Sequence, residues 1–272
     1  MSELIVKPSP TPDADGNILR ITPASAGWAH VGFEVYVLQA GERLVRSTGE
    51  QEACLVLLAG RADVATAERA WNNIGARMSV FEKIPPYSVY VPSGDRFEVT
   101  AVTELRLAVC RAPGKGTHAA RLIGPEHVGV EARGQGSTER LIHNILPESE
   151  AADSLLVVEV FTPGGHWSSY PPHKHDRDRL PEESLLEETY YYHVEPKQGF
   201  AVQRVYTDDR SLDETLAVAS GEAVLVPRGY HPVSAPPGYE VYYLNVMAGP
   251  VRTWKFHNDP DHAWLMPKPA GK

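Results

Sequence analysis

The chain has few cysteines, no excess of positive charge and no long apolar segment, and each scarcity excludes a class of protein. Of its 272 residues only Cys54 and Cys110 are cysteines, and both lie in apolar runs, which predicts buried thiols in a reducing compartment rather than a disulfide. The 26 basic and 35 acidic residues give a net charge of −9, which disfavours binding to nucleic acid phosphates. No run approaches the ~20 apolar residues of a membrane span, and residues 1–17 lack the basic and apolar regions of a secretion signal. We therefore expect a soluble, cytoplasmic protein that binds neither nucleic acid nor membrane.

Long helical periodicity is also scarce, and short β-patterned segments take its place. The 23 prolines and 22 glycines divide the chain into short segments with alternating or continuous apolar character, a pattern typical of an all-β fold. Strands are predicted within 32–41, 52–64, 87–94, 96–102 and 105–112, and again within 154–165, 188–196, 200–207, 222–229 and 239–249.

The strand pattern is interrupted once, and the interruption predicts two domains. Residues 113–137 are richer in glycine and poor in strand signal, so we predict a linker there between β-domains at 1–112 and 138–272. The segment VYVPSGDRF around Pro92 resembles VLVPRGYHP around Pro227, which favours an internal duplication. In that alignment Arg96 falls where His231 lies, and the first half has no His-x-His pair, so only the second half is expected to carry a metal.

Four metal-ligating side chains stand out in the second half: His173, His175, Glu188 and His231. Two histidines at positions i and i+2 of a strand point to the same side, so both imidazoles can reach one ion. A distant histidine then follows a Pro-x-Gly turn. The sequence therefore predicts one metal site shared by the four residues.

The choice of carboxylate depends on strand alternation. Glu188 shares a strand face with Tyr190 and Tyr192, whereas Glu187 shares the other face with His193. Because aromatic residues belong in a barrel interior, we favour Glu188. The other carboxylates in reach are those of Glu182, Glu183 and Glu187.

The motif GGHWSSYPPHKHD, followed by Gly221, Pro227, Gly229 and His231, resembles the paired motifs of cupins, which are double-sheet jelly rolls with a metal at the barrel mouth. More narrowly, several phrases from about Leu155 to Leu265 resemble the 5-deoxy-glucuronate isomerases of myo-inositol catabolism, relatives of the 5-keto-4-deoxyuronate isomerases. These phrases are SSYPPHKHD, LEETYYYH, GFAVQRVYTDD, VPRGYHPVSAPPGYEVYYLNVMAG and NDPDHAW.

The resemblance implies a bicupin of two jelly-roll barrels in which only the C-terminal barrel holds a divalent metal, bound by His173, His175, Glu188 and His231. The implied reaction converts 5-deoxy-glucuronate into 5-dehydro-2-deoxy-gluconate. Three imidazoles and a carboxylate suit Zn, Mn, Fe, Co or Ni rather than Ca or Mg. The family analogy favours Zn, although the donor set does not choose among the five.

An aldose–ketose isomerisation also requires a proton shuttle and, for a sugar acid, a cation that binds the carboxylate. Shuttle candidates near the ligand-bearing segments are Tyr190, Tyr192, His193, Glu195, Tyr243, Asp259 and Asp261, of which we favour Tyr192, Tyr190, His193 and Asp261. Candidates for contacts with the substrate are Arg204, Arg228, Lys174 and Tyr243. The predicted partners are a small sugar acid and, because exposed edge strands favour pairing, a second copy of the chain.

Two other functions compete with the isomerase. A cupin dioxygenase uses a similar ligand set with iron or another redox metal, and a bicupin can also bind a sugar without catalysis. The many tyrosine hydroxyls on the predicted strands suit a polyol better than a dry pocket for O₂. The complete set of four ligands argues against a barrel that has lost its metal.

Overall fold

A computed structural model describes residues 2–266 and contains mostly β-structure. Its strands are β1 (Ile5–Val6), β2 (Asn17–Ile21), β3 (Gly32–Leu38), β4 (Arg43–Ser47), β5 (Gln51–Ala59), β6 (Ala62–Thr66), β7 (Ala70–Ile74), β8 (Ser88–Val91), β9 (Arg96–Ala101), β10 (Leu105–Pro113), β11 (Arg121–Ile123), β12 (Gly129–Arg133), β13 (Arg140–Leu146), β14 (Leu156–Thr162), β15 (Trp167–Ser168), β16 (His173–Lys174), β17 (Asp176–Arg179), β18 (Glu183–Leu185), β19 (Glu187–Glu195), β20 (Phe200–Tyr206), β21 (Asp213–Ala219), β22 (Ala223–Val226), β23 (Val233–Ser234), β24 (Glu240–Ala248) and β25 (His257–Asn258). The helices are α1 (Pro23–Ala26) and 3-10 turns at Val80–Glu82, Pro125–His127, Gly136–Thr138 and Pro260–Leu265. The predicted all-β fold class is confirmed. No helix within residues 2–266 is long and apolar enough to cross a membrane.

The strands form two pairs of sheets. In the first half, a six-stranded inner sheet in the order β11-β8-β5-β10-β3-β2 packs on a four-stranded outer sheet, β4-β9-β6-β7. In the second half, a seven-stranded inner sheet in the order β1-β22-β19-β24-β14-β13-β12 packs on an outer sheet, β15-β23-β20-β21. The ribbons β16-β25 and β17-β18 complete the second half. We refer to the two sandwiches as the first and second barrels.

The two inner sheets also pack against each other, so they are buried on both faces. Along β5, Leu55 and Leu57 pack inside the first barrel, whereas Cys54, Val56 and Leu58 pack between the barrels. The same alternation holds along β19, where Tyr190 and Tyr192 face the second barrel's interior and Tyr191 lies between the barrels. Burial on both faces explains why these strands read as continuous apolar runs.

The two cysteines lie in the core between the barrels. Cys54 on β5 is directly opposite Cys110 on β10, and both are buried and free. Burial raises the pKa of both thiols, which keeps them protonated and unreactive. The prediction of buried free thiols is confirmed.

The two inner sheets repeat one topology. The order β8-β5-β10-β3-β2 in the first recurs as β22-β19-β24-β14-β13 in the second. Register places Ala53 opposite Val91 on β8 and Glu188 opposite Val226 on β22. Arg96 lies five residues after Val91, and His231 lies five residues after Val226. The two residues therefore hold equivalent positions, as the sequence similarity suggested.

The segments near the predicted domain boundary belong to the sheets. Residues 121–123 form β11 of the first inner sheet, and residues 129–133 form β12 of the second. Near the N-terminus, β1 pairs with β22 and so joins the second inner sheet. The division at residues 1–112, 113–137 and 138–272 stays a prediction, but the segment expected as a linker supplies one strand to each inner sheet.

Three carboxylates form contacts between the barrels. Glu52 on β5 accepts hydrogen bonds from the backbone N–H groups of Asp153, Ser154 and Leu155 at 2.6–2.8 Å. Glu187 on β19 accepts in the same way from residues 29, 30 and 31 at 2.6–2.9 Å. Between the sheets, Arg77 forms a bidentate ion pair with Glu159 at 2.7 and 2.8 Å. These contacts fix the orientation of one barrel relative to the other.

Candidate metal centre

Three of the four predicted ligands converge inside the second barrel. His175, Glu188 and His231 are each at most 2% exposed, and their ligand atoms all lie within 4.8 Å of one another. Oε2 of Glu188 is 3.1 Å from Nε2 of His175 and 3.2 Å from Nε2 of His231. No other group of this kind occurs among the described residues.

The histidines are oriented as metal ligands usually are. Nδ1 of His175 lies 3.1 Å from the Leu186 carbonyl oxygen, and Nδ1 of His231 lies 2.8 Å from that of Gly229. A carbonyl oxygen only accepts hydrogen bonds, so each Nδ1 carries a proton and Nε2, which faces Glu188, is the nitrogen available to a metal. Within residues 2–266 the buried Nε2 of His231 makes no well-aligned hydrogen bond, although it lies 3.2 Å from Glu188. An orphaned buried nitrogen beside a carboxylate fits a metal site.

His173 lies at the edge of this group. Its ring centroid is 5.1 Å from that of His231, and its Nδ1 is 3.3 Å from the Pro171 carbonyl oxygen. It is half-buried and lies outside the tight cluster of three. Strand alternation turns the intervening Lys174 away, where its buried Nζ is 2.6 Å from Asp176 and 3.0 Å from Glu183.

The charges of the cluster suit a cation. Burial opposes ionisation of Glu188, but His231 and His175 lower its pKa to about 2, so the carboxylate is ionised at neutral pH. Burial and the neighbouring His231 and His175 hold the pKa of His173 well below its usual range, so that ring is neutral. A carboxylate among imidazoles is a donor set for Zn and for Mn, Fe, Co or Ni.

The turn after β22 positions His231. Gly229 has φ of 91°, and a Cβ there would lie 2.4 Å from the Tyr206 carbonyl oxygen. Only glycine fits this backbone conformation and this close approach. The N–H of Gly229 donates to Asp176 at 2.8 Å, which ties the turn to the segment that follows His175.

Strand alternation separates the competing glutamates. Glu188 faces the barrel interior, where Nδ2 of Asn245 donates to its Oε1 at 2.6 Å. Glu187 points to the other side and binds the backbone of residues 29–31. Glu183 binds Lys174, and Glu182 is exposed. Glu188 is the one among them that reaches the two histidines.

A small pocket of about 40 Å³ adjoins this cluster, and His173 and Glu188 lie in its wall. Its polar lining includes Tyr190 and Tyr243, two of the candidate residues named from the sequence. Ser169 lies between them, 3.0 Å from Oη of Tyr190 and 3.5 Å from Oη of Tyr243. Burial raises the pKa of both tyrosines, so both are neutral hydrogen-bonding phenols. The other lining residues are Arg133, Arg140, Ile142, Asn144, Val158, Val160, Asn245 and Trp254.

Three predicted shuttle residues lie away from this pocket. Tyr192 faces the same interior, but its hydroxyl donates to Gln203 at 2.8 Å deeper in the barrel. His193 faces the first barrel, where its ring lies 3.4 Å from Arg106. Asp261 is exposed in the last 3-10 turn. His193 points out of the second barrel because alternation along β19 places it on the face opposite Glu188. Asp261 is exposed because it lies in the turn around Pro260.

The basic residues predicted to bind substrate also lie elsewhere. Arg204 forms a bidentate ion pair with Asp213 at 2.7 and 2.8 Å, Arg228 is exposed, and Lys174 is buried among carboxylates. The arginines that line the pocket are Arg133 and Arg140. Sequence reasoning missed them because they lie in or beside the segment expected as a linker, on β12 and β13.

Arg140 is the better placed of the two lining arginines. Arg133 is held by a bidentate ion pair with Glu131 at 2.8 and 2.9 Å. Arg140 donates to the Thr138 carbonyl oxygen at 2.9 Å and forms no ion pair within 4.0 Å among residues 2–266. Burial lowers the pKa of Arg140, although an arginine stays charged at neutral pH. An anionic substrate group would supply the missing partner.

Known proteins with the same architecture fall into two groups. A sequence model of the KduI/IolB family matches residues 4–265. The 5-deoxy-glucuronate isomerase of Geobacillus kaustophilus is 68% identical over 266 residues, which cover 98% of this chain and 96% of that protein. The crystal structure of an IolB-like protein from Salmonella typhimurium LT2 aligns with a TM-score of 0.95 and 54% identity over 97% of this chain and 99% of that one. An oxalate decarboxylase from Lactobacillus farciminis aligns with a TM-score of 0.66 over 98% and 91% of the two chains, but at 13% identity it shares the fold alone.

Proposed function

Because the chain belongs to the KduI/IolB family, we propose that His175, Glu188 and His231, together with His173, bind a divalent metal used in a sugar-acid isomerisation. The chain is an isomerase. The proposed substrate is 5-deoxy-glucuronate, which appears in the names of its curated relatives, and the proposed product is 5-dehydro-2-deoxy-gluconate in myo-inositol degradation. The observation that carries the proposal is the buried cluster of ionised Glu188 with inward-facing imidazole nitrogens.

The reaction moves hydrogen between two adjacent carbons of the substrate. A proton leaves the carbon that bears the hydroxyl and is returned to the carbonyl carbon. A second proton passes from the hydroxyl oxygen to the carbonyl oxygen, so the hydroxyl becomes the new carbonyl and the old carbonyl becomes a hydroxyl. When bound, the metal supplies Lewis-acid stabilisation of the negative charge that develops on the two oxygens. Zn is the proposed metal, with Mn, Fe, Co or Ni as alternatives.

The residues of the pocket bind and orient the sugar acid. Tyr190 and Tyr243, both neutral phenols, lie beside Ser169 and suit the hydroxyl groups of a sugar. We propose that Tyr190 donates a hydrogen bond to the substrate beside the ligand cluster, because its ring centroid is 5.7 Å from that of His231. Asn245 holds Glu188 through its other carboxylate oxygen. The free Cys54 and Cys110 thiols support a cytoplasmic location.

Isomerisation without oxygen is the test of this function. Purified protein is stripped with a chelator, reloaded with one metal at a time and incubated with 5-deoxy-glucuronate under argon while ketone formation and bound metal are measured. We expect about one metal per chain and turnover that is lost on chelation and restored on reloading. A requirement for O₂ would indicate the cupin dioxygenase, and full turnover of metal-free protein would refute the ligand assignment.

Arg140 is proposed to bind the substrate carboxylate in place of the arginines that the sequence suggested. Replacing Arg140 with Gln removes a charged donor, and such hydrogen bonds contribute roughly 1.5–3 kcal/mol. We therefore expect KM to rise about ten- to a hundredfold with a smaller change in kcat. Arg204→Gln, the matched control, should leave KM unchanged, because Arg204 is paired with Asp213. An unchanged KM in Arg140→Gln would contradict the assignment without affecting the metal proposal.

A further inference from the structure

A cleft between the two barrels, distinct from the metal pocket, brings polar groups of both together. It has two lobes of about 420 and 720 Å³ that share Ser79, Phe81, Arg106 and His193. Small-ligand sites typically span ~300–1,000 Å³ and lie between domains. Arg106 comes from β10 of the first barrel and His193 from β19 of the second, so a ligand bound here would contact both.

The inner wall of this cleft carries positive charge without a matching acid. Nη1 of Arg106 is 3.4 Å from Nε2 of His193. Within residues 2–266 the guanidinium of Arg106 forms no ion pair within 4.0 Å. Burial, followed by the charges of Arg106, Arg77 and Lys197, lowers the pKa of His193 to about 3. Glu104 and Glu195 also line the lobes, but both are exposed at their rims. The potential at the ring is therefore positive.

A buried hydroxyl lies behind the guanidinium of Arg106. Oη of Tyr191 is fully buried against Arg106, and Tyr191 forms the back of the larger lobe. Burial raises the pKa of Tyr191, and the nearby Arg106 opposes the rise, so a phenol donor and a guanidinium lie side by side. On the other flank of His193, Nδ1 is 3.2 Å from Oγ of Ser220.

We propose that this cleft is a binding site for a small anion, a carboxylate or a phosphate, held by Arg106 beside His193. Arg106 supplies several N–H donors in one plane, and an anion with several oxygens can accept from more than one of them at once. Lys197 at the outer edge adds long-range attraction. The proposal does not depend on the reaction at the metal, because the cleft opens on the other face of β19.

An NMR titration of the metal-loaded protein tests the site. The ring signals of His193, assigned by their loss in His193→Leu, are followed during titration with inorganic phosphate and, separately, with succinate, against chloride at matched ionic strength. We expect a saturable shift with at least one of the two anions and a higher pKa of His193 in its presence. The anion that saturates at the lower concentration identifies the preferred ligand class.

Two variants make the titration decisive. Arg106→Gln should weaken the apparent affinity about tenfold or more, since it removes a charged donor. Arg43→Gln should leave it unchanged, because Arg43 lies on the outer sheet and pairs with Glu98. Signals that move only linearly, that do not move, or that titrate equally in Arg106→Gln and the parent protein would overturn the proposal.

Discussion

In the first barrel, Ala53 and Arg96 hold the positions that Glu188 and His231 hold in the second. The two inner sheets have the same strand order and the same register at these positions. Ala53 packs in an apolar core, and Arg96 is exposed at the start of β9. The comparison teaches that one scaffold supports either an apolar core or a cluster of candidate metal ligands, and that a few side chains decide between them.

The same comparison shows what the barrels have kept in common. Glu52 and Glu187 are equivalent in register, each one residue before Ala53 or Glu188. Each carboxylate crosses to the other half and accepts hydrogen bonds from three consecutive N–H groups just before β14 or β3. The contact between barrels is thus reciprocal, although only one half carries the candidate metal ligands. We call each of these two carboxylates, Glu52 and Glu187, a clamp. The Glu187 clamp is adjacent to the candidate ligand Glu188, so the first barrel helps to hold β19 in place.

The largest expected effect is the difference between substituting His231 and substituting Arg96, which hold equivalent turn positions in the two barrels. His231→Ala removes a buried nitrogen from the cluster, so we expect metal affinity to fall at least about a hundredfold and isomerase activity to be lost. Bound metal is measured by elemental analysis and turnover by the anaerobic assay. Arg96→Ala, its counterpart in the first barrel, should retain both because the side chain is exposed. Stoichiometric metal in His231→Ala would contradict the proposed centre.

A smaller effect is expected from the two clamps. Glu187→Gln weakens the hold on residues 29–31 beside Glu188, so we expect metal affinity to fall about tenfold, as for other groups that orient a ligand. Glu52→Gln removes the equivalent contact far from any ligand and should lower the free energy of unfolding by roughly 1.5–3 kcal/mol without changing metal affinity. Competition with a chelator measures the first quantity and urea unfolding the second.

Two outcomes for Glu187→Gln and Glu52→Gln would contradict this prediction. If the two reduce metal affinity equally, the clamps act through overall stability and Glu187 does not position Glu188. If neither does, the first barrel contributes nothing to the metal centre. Glu187→Asp, which keeps the charge but shortens the side chain, should give an intermediate affinity.

Local patterns were sufficient to predict the strands and the carboxylate of the cluster. Period-2 alternation along β19 put Glu188 on the interior face, and the His-x-His spacing put Lys174 on the opposite side from its neighbours. Both are properties of consecutive residues on one strand. The echo between Pro92 and Pro227 likewise marked equivalent turns, because the turn chemistry is local.

Local sequence patterns do not predict contacts between segments that are distant in the chain. Arg140 lines the pocket beside the candidate metal centre because β13 pairs with β14 in the second inner sheet, and nothing near Arg140 in sequence indicates this. The role of Glu187 depends on N–H groups more than 150 residues away. Arg204 and Arg228 are close in sequence to the candidate ligands, but Arg204 on β20 pairs with Asp213 on β21 and Arg228 is exposed in the turn after β22.

The smallest effect concerns His193, whose counterpart in the first barrel is Leu58. Burial and nearby cations hold the pKa of His193 near 3 in the folded protein, whereas an unfolded histidine has a pKa of about 6.5. Between these values the unfolded chain binds a proton that the native chain does not, so stability rises with pH and falls as pH drops through this window. His193→Leu removes this linkage, and its loss of unfolding free energy from pH 7 to pH 5 should be about 1–2 kcal/mol smaller than that of the parent. Urea unfolding at both pH values, in chloride without phosphate, measures the difference, and equal losses in the two proteins would show that His193 is not held neutral between the barrels.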